Sequence, residues 1–347
     1  MRYKPFGQRT GLRVSEFALG TGTFGTKWGY GAEAAEARRI FDGYVDAGGN
    51  FIDTADSYQF GDSETLLGAF VGAKRNDLVI ATKFSLGATP DASLTATGNS
   101  RLAMIRSVEE SLRRLKTDRI DLYWVHMPDG VTPIEEIVRG LDDLVRSGKI
   151  VYAGLSDFPA WRTARAATIA DLRGWAPIAG LQIEYSLVER TPDRELLPMA
   201  QGLGLGTVVW SPLGGGLLTG KYRRGEAGRA TQWKVLVHDE STSQKTAILD
   251  ELHAVAEESG ANAGQVAIAW IAAKGLIPIL GVKSSAQLDD NLGAAAIRLS
   301  DAQVRRLDEV SAVPLGFPLD MLNNERNRAR LTGGRLDLVD FPATPVA

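Results

Sequence analysis

No cysteine occurs among the 347 residues, which excludes disulfides, thiolate nucleophiles and cysteine-ligated metals at once. Only three histidines are present, His126, His238 and His253, and none pairs with another at ligand spacing, so no metal site is expected. No apolar run approaches the roughly 18 residues of a membrane-crossing helix, and the opening Met1-Arg2-Tyr3-Lys4-Pro5 has no apolar signal core. A formal net charge of −3 supplies no positive field for nucleic acid or an anionic membrane. These absences point to a small-molecule protein in a reducing, cytoplasmic compartment. What is left is an ordinary globular composition, 44% hydrophobic, long enough for one large α/β unit or two smaller ones. Nothing in it assigns an oligomeric state.

The chain then reads as an alternation. Gly7-Gln8-Arg9-Thr10-Gly11 joins two short mixed segments, a hairpin over residues 1–14. Eight apolar runs follow, at 17–19, 51–53, 79–83, 120–125, 151–155, 178–183, 207–210 and 277–281, mostly with a helical pattern after each. Such βα units over about 300 residues predict a single closed (β/α)8 TIM barrel over 15–312. A C-terminal extension runs from 313 to 347, and no linker or composition shift marks a second domain. Gly20-Thr21-Gly22-Thr23-Phe24-Gly25 matches the dinucleotide fingerprint in form, but helical periodicity begins only near Ala32, too late for a helix N-terminus to meet a pyrophosphate. On helix 100–115, Glu109/Arg113 and Glu110/Arg114 sit four apart and read as a solvated face.

Barrel chemistry gathers where strands end, and Asp53, Lys83, His126, Ser156, Gln182 and Trp210 all fall there, with Tyr58 five residues beyond Asp53. Taken singly, an aspartate can cap a turn, a tyrosine can pack a loop and a histidine can sit satisfied in a core. A lysine closing a buried strand needs a partner. Together, Asp53, Tyr58, Lys83 and His126 form a catalytic candidate. An ammonium about 4 Å from a phenol, at an effective dielectric near 20, favours phenolate by roughly 4 kcal/mol, about three pKa units, against which desolvation works. The phenol is thus expected to fall below its usual value of about 10 and to hand a proton to a carbonyl oxygen. Asp53 would hold the ammonium, and His126 would donate to the substrate oxygen.

With these residues in place the chain resembles the aldo-keto reductases over nearly its whole length. The resemblance rests on Asp53-Thr54-Ala55-x-x-Tyr58, the Lys83 strand, Asp121-Leu122-Tyr123-Trp124-Val125-His126, Gly154-Leu155-Ser156-Asp157, Gln182-Ile183-Glu184-Tyr185, Trp210-Ser211-Pro212-Leu213-Gly214 and Gly281-Val282-Lys283-Ser284 through Asn291, all in family order. The Trp-Ser-Pro-Leu form is similar to the bacterial and potassium-channel β-subunit branch. The resemblance implies that Tyr58 is the general acid/base and that NADPH is the cofactor. It further implies that Trp210 stacks on the nicotinamide while Ser156, Asp157 and Gln182 hold its carboxamide, although a carboxylate at 157 accepts from the amide and cannot donate to it. Thr21, Gly22, Asp53, Ser211, Pro212, Leu213, Gly214, Gly216, Lys221, Arg229, Gly281, Lys283, Gln287, Asp290 and Asn291 complete the cofactor set that it implies. For the carbonyl substrate, Trp28, Tyr58, Phe84, His126 and Met127 are the candidate contacts, with Pro128 and Trp233 near the same rim. Two other readings compete: a nicotinamide-binding regulatory subunit with vestigial catalysis, and a barrel lyase or hydrolase using Asp53 and Lys83 alone.

Overall fold

Apolar runs such as Val79–Phe84 and Ile120–Val125 are buried at every position, the signature of parallel strands covered on both faces. In the computed structural model, which describes residues 1–226, 228 and 238–341, eight such strands close into a parallel barrel. A two-stranded antiparallel hairpin, β1 (Tyr3–Pro5) with β2 (Arg13–Ser15), precedes it. Around the barrel run β3 (Ala18–Gly20), β4 (Phe51–Asp53), β5 (Val79–Phe84), β6 (Ile120–Val125), β7 (Ile150–Ser156), β8 (Ile178–Glu184), β9 (Gly206–Trp210) and β10 (Ile277–Gly281), with β10 pairing back onto β3. The predicted (β/α)8 barrel and its N-terminal hairpin are therefore the observed architecture.

Helices α1 (Ala34–Asp46), α2 (Asp62–Val71), α3 (Arg101–Leu115), α4 (Ile134–Arg146), α5 (Ala160–Arg173), α6 (Leu196–Gly202), α7 (Ser243–Glu258), α8 (Ala263–Ala273) and α9 (Ser285–Leu292) lie between or after the strands. Their limits follow local chemistry. Asn262 and Gln265 form a capping box that opens α8, Ser100 caps α3, and Gly174 in the left-handed region ends α5. After α10 (Asp301–Val310) the extension carries two short helices, α11 (Leu319–Leu322) and α12 (Glu325–Leu331).

The barrel interior is solid below its mouth. Phe6 of the hairpin turn enters from the bottom and packs edge-on to Phe51 and Trp124, at centroid distances of 5.9 and 6.4 Å. Gly180 and Gly206 make room for it, since a Cβ at either would lie 2.7–2.8 Å from the Phe6 ring. Gly154 does the same for Trp124, where a Cβ would meet the indole at 2.3 Å. With the bottom plugged, the barrel is open, among the described residues, at the C-terminal ends of its strands.

Candidate active site

Period-two alternation sets which strand residues face inward. Phe51, Ala81, Leu122, Trp124 and Val208 belong to the interior cluster, so Asp53, Lys83 and Trp210, two positions further along β4, β5 and β9, face the mouth. His126 stands two beyond Trp124, with its backbone N–H on the Phe84 carbonyl at 2.9 Å. The Lys83 ammonium is completely buried. It donates to Asp53 Oδ2, to the Thr54 carbonyl at 2.9 Å and to the Tyr58 hydroxyl at 3.1 Å. Three hydrogen bonds satisfy its three protons, which is what a buried ammonium requires. Asp53 Oδ1 accepts from Gln182 Nε2 at 2.8 Å, so both carboxylate oxygens are engaged.

The acidity expected of Tyr58 is corrected by the structure. Burial pushes the phenol up, and Lys83 pulling it down does not overcome this, so the hydroxyl lies above its ordinary value. Sequence alone weighs the ammonium but not the depth of burial. Tyr58 accordingly rests as a protonated phenol. Burial opposes the charge of Lys83, yet Asp53 and Tyr58 outweigh it, and its pKa rises. His126 is driven down to about 3 by burial and by Lys83, so its imidazole is neutral. Its Nδ1 is buried and finds no hydrogen-bond partner among the described residues. The Tyr58 ring lies edge-on between Trp28, at 5.9 Å, and His126, at 5.8 Å.

Trp210 donates through Nε1 to Asp157 Oδ1 at 3.1 Å, and the Ser156 hydroxyl lies 3.4 Å from Asp157 Oδ2. Burial raises Asp157 to about 6, partly offset by the Trp210 bond and Lys83. Both Asp157 (φ 56°) and Ser211 (φ 54°) take the left-handed conformation, which turns the chain sharply at the mouth. Gly214 and Gly216 follow at φ 56° and 94°. A Cβ would strike Val188 at Gly214 and Lys221 at Gly216, both at 2.7 Å. Gly214 is packed in, while Gly215 and Gly216 leave their backbone half-exposed, as a phosphate cradle requires. Burial, and then the nearby Lys283 ammonium, lowers the pKa of Lys221. Lys283 Nζ also lies 4.9 Å from the Tyr30 ring centroid, and Gln287 Oε1 accepts from the Lys283 N–H at 3.0 Å. Thr23 Oγ1 donates to the Val282 carbonyl at 2.5 Å, tying the loop after β3 to this wall. Backbone cradle, paired ammoniums and an indole at the mouth are a donor set that fits a dinucleotide.

Some expected contacts are placed otherwise. Phe84 does not reach the mouth: it is fully buried outside the barrel wall, stacked on Tyr123 at 5.2 Å. Strand parity explains this, because Lys83 faces inward and its neighbour must face the helices. Gln182 spends its amide on Asp53, and the side chain of Asp290 accepts from Asn262 at 2.6 Å and from Gln265 at 3.3 Å, joining α9 to α8. Thr21 is buried, with its N–H on the Asp53 carbonyl at 2.9 Å, and Gly22 lies 3.6 Å from the Tyr58 ring as judged by the Cβ it lacks. Asn291 is buried, Met127 is exposed, and Arg229 and Trp233 lie outside the described residues. Glu36 of α1 accepts from the Ser285 N–H at 2.6 Å, occupying the first amide of α9.

Sequence reasoning missed a polar cluster behind the strands. Glu64, fully buried, accepts from Thr82 Oγ1 at 2.5 Å and from Arg114 Nε at 2.7 Å. Arg114 therefore leaves the solvated face assigned to it. Asp56 shares this space, raised to about 7 by burial and then by Glu64, with Oδ1 unpartnered among the described residues. The sequence signal was Gly-x-Ser-Glu opening α2, an acid on a helix face otherwise turned to the core.

An eight-stranded barrel with an acid, an amine, a phenol and a neutral imidazole converging at its open end defines a class, and the comparisons agree with it. The chain belongs to the aldo/keto reductase family, whose model matches residues 16–312. It is 36% identical to an uncharacterized oxidoreductase, YrpG, of Bacillus subtilis, covering 91% of this chain and 98% of that one. It is 33% identical to a norsolorinic acid reductase of Aspergillus flavus (90% and 81% covered) and 34% to an aryl-alcohol dehydrogenase [NADP(+)] of Phanerodontia chrysosporium (91% and 88%). The protein is thus an oxidoreductase of this family.

Proposed function

We propose that the protein reduces an aldehyde or ketone to its alcohol with NADPH, in a reversible reaction, and that ring-bearing carbonyls are the preferred substrates. The observation that carries the reading is the Lys83 ammonium, held by Asp53 and 3.1 Å from a protonated Tyr58 hydroxyl. NADPH, when bound, supplies the hydride. Tyr58 releases its proton to the carbonyl oxygen, and Lys83 stabilises the phenolate left behind. His126, neutral, steers the substrate oxygen to the phenol by hydrogen bonding without competing for the proton. Trp210, its indole N–H held by Asp157, would hold the nicotinamide, the glycine turn at 214–216 and Lys221 would hold the pyrophosphate, and Lys283 would favour a phosphorylated ribose.

The edge-to-face succession Trp28–Tyr58–His126 surrounds the phenol with rings, and one of the named relatives is by name an aryl-alcohol dehydrogenase. The NADP(+) in the name of the Phanerodontia chrysosporium relative agrees with Lys283. We place the enzyme in the cytoplasm, in keeping with a chain without cysteine. NADPH oxidation against a panel of aldehydes, ketones and sugars tests the reading, with NADH run in parallel and Tyr58→Phe as control. The variant should bind NADPH, seen by Trp210 quenching, and lose at least about a hundredfold in turnover. Retained turnover, or equal kcat/KM with NADH, contradicts the corresponding half of the proposal.

A further inference from the structure

Beside the tyrosine stands a residue with no part in proton transfer that is nevertheless completely buried and fully bonded. Gln59 takes the left-handed conformation (φ 50°, ψ 34°), as does Phe60 after it (φ 54°, ψ 47°). Two consecutive non-glycine residues in that region persist only where their surroundings demand it. The demand here is visible. The conformation turns the Gln59 side chain away from the strands and into the loop that follows β3. There Nε2 donates to the Gly22 carbonyl at 3.1 Å and to the Tyr30 carbonyl at 2.9 Å, while Oε1 accepts from the Trp28 N–H at 2.9 Å. One carboxamide thus satisfies three backbone groups spread over nine residues. Gly25 (φ 108°) lets the contact close, since a Cβ there would lie 3.2 Å from Gln59 Cβ. The loop so held carries Trp28, whose ring stands edge-on to Tyr58 at 5.9 Å and to Phe60 at 6.3 Å.

We propose that Gln59 is a positioning residue for specificity: by clamping the 22–30 loop onto the catalytic turn it fixes the Trp28 wall beside Tyr58, and that wall selects ring-bearing carbonyls over small aliphatic ones. This rests on the reductase reading. The residue acts through Trp28 and leaves the Lys83–Asp53–Tyr58 chain of bonds untouched, so its loss alters who is bound more than how fast a bound substrate reacts.

The experiment compares wild type, Gln59→Met (same length, no polar atoms), Gln59→Glu (keeps the acceptor for Trp28, loses both donors), Trp28→Ala and the Gln59→Met/Trp28→Ala double variant. Each is assayed with NADPH on benzaldehyde and on propanal, and amide hydrogen exchange over residues 22–30 is followed in the same proteins. Gln59→Met should lower kcat/KM for benzaldehyde on the order of tenfold, mostly through KM, against less than about threefold for propanal. The pH profile of kcat should not move. Gln59→Glu, which sets a buried carboxylate against the Gly22 and Tyr30 carbonyls, should lose at least as much as Gln59→Met, and the double variant should lose no more selectivity than Trp28→Ala alone. Exchange over 22–30 should accelerate about tenfold or more in Gln59→Met. Equal losses on both aldehydes, a shifted pH profile, additive losses in the double variant or unaccelerated exchange would each overturn the proposal. Should wild type reduce neither aldehyde, the reductase reading falls with the selectivity claim, while the exchange data still decide whether the clamp exists.

Discussion

Replacing Lys83 asks how much of the chemistry depends on its charge. With the nitrogen 3.1 Å from the Tyr58 oxygen, an effective dielectric of about 20 gives a stabilisation of phenolate near 5 kcal/mol, or about four pKa units. Lys83→Met removes it. If roughly half of the phenolate charge has developed in the transition state, the barrier rises by about 2.5 kcal/mol and turnover falls about a hundredfold. The single variant also strands Asp53 in a buried site, at a cost of about 3–5 kcal/mol to the fold. The informative protein is therefore Asp53→Asn/Lys83→Met, which removes both charges and keeps the shape. We expect the double variant to fold, to quench its tryptophan fluorescence with NADPH, and to reduce benzaldehyde at pH 7 more slowly than wild type by somewhat less than about a hundredfold, since the Asp53 carboxylate that raises Tyr58 goes with Lys83. In the alcohol-oxidising direction, which needs the phenolate, its alkaline limb should move to higher pH. Turnover within about threefold of wild type, in a protein that still binds NADPH, would refute the electrostatic account.

Asp56 has a folded pKa near 7 against an ordinary 3.8. Its proton is retained on folding and given up in the unfolded chain, so the carboxyl costs stability as pH rises from about 4 to 7, by up to about 4 kcal/mol. Asp56→Asn should gain little at pH 4 and most at pH 8 in urea denaturation, and a pH-independent gain would contradict this. His126 works from the other side: held neutral to about pH 3, it loses stability for the fold as pH falls below the ordinary 6.5 and the unfolded chain takes up the proton. His126→Gln should flatten the acid side of the stability curve, and a wild-type kcat break near 6.5 that vanished in this variant would count against a neutral imidazole. Phe6→Ala should destabilise the barrel by about 3–5 kcal/mol in the same assay, with KM values unchanged because the plug lies at the closed end.

Much of this was legible in the sequence. Eight apolar runs, each short and bounded, specify a closed parallel sheet, and the polar residues ending them mark its mouth. Strand parity was legible too, and applying it to Lys83 would have turned Phe84 away from the site. Gln59 was not readable, because its worth depends on three backbone groups from another loop arriving within 3.1 Å of one side chain. Nor was Arg114, whose helical spacing to Glu110 looked complete until α2 brought Glu64 to it.

The sequence by itself determined the barrel, its preceding hairpin and the inventory of chemical groups at the open end, since alternation and periodicity are local properties that survive without knowing what packs where. Only the tertiary structure decided the balance of charge among those groups. Desolvation depends on every neighbour that excludes water, and it is this that holds Tyr58 as a phenol and His126 uncharged, while Lys83 stays charged against it because Asp53 and Tyr58 lie alongside.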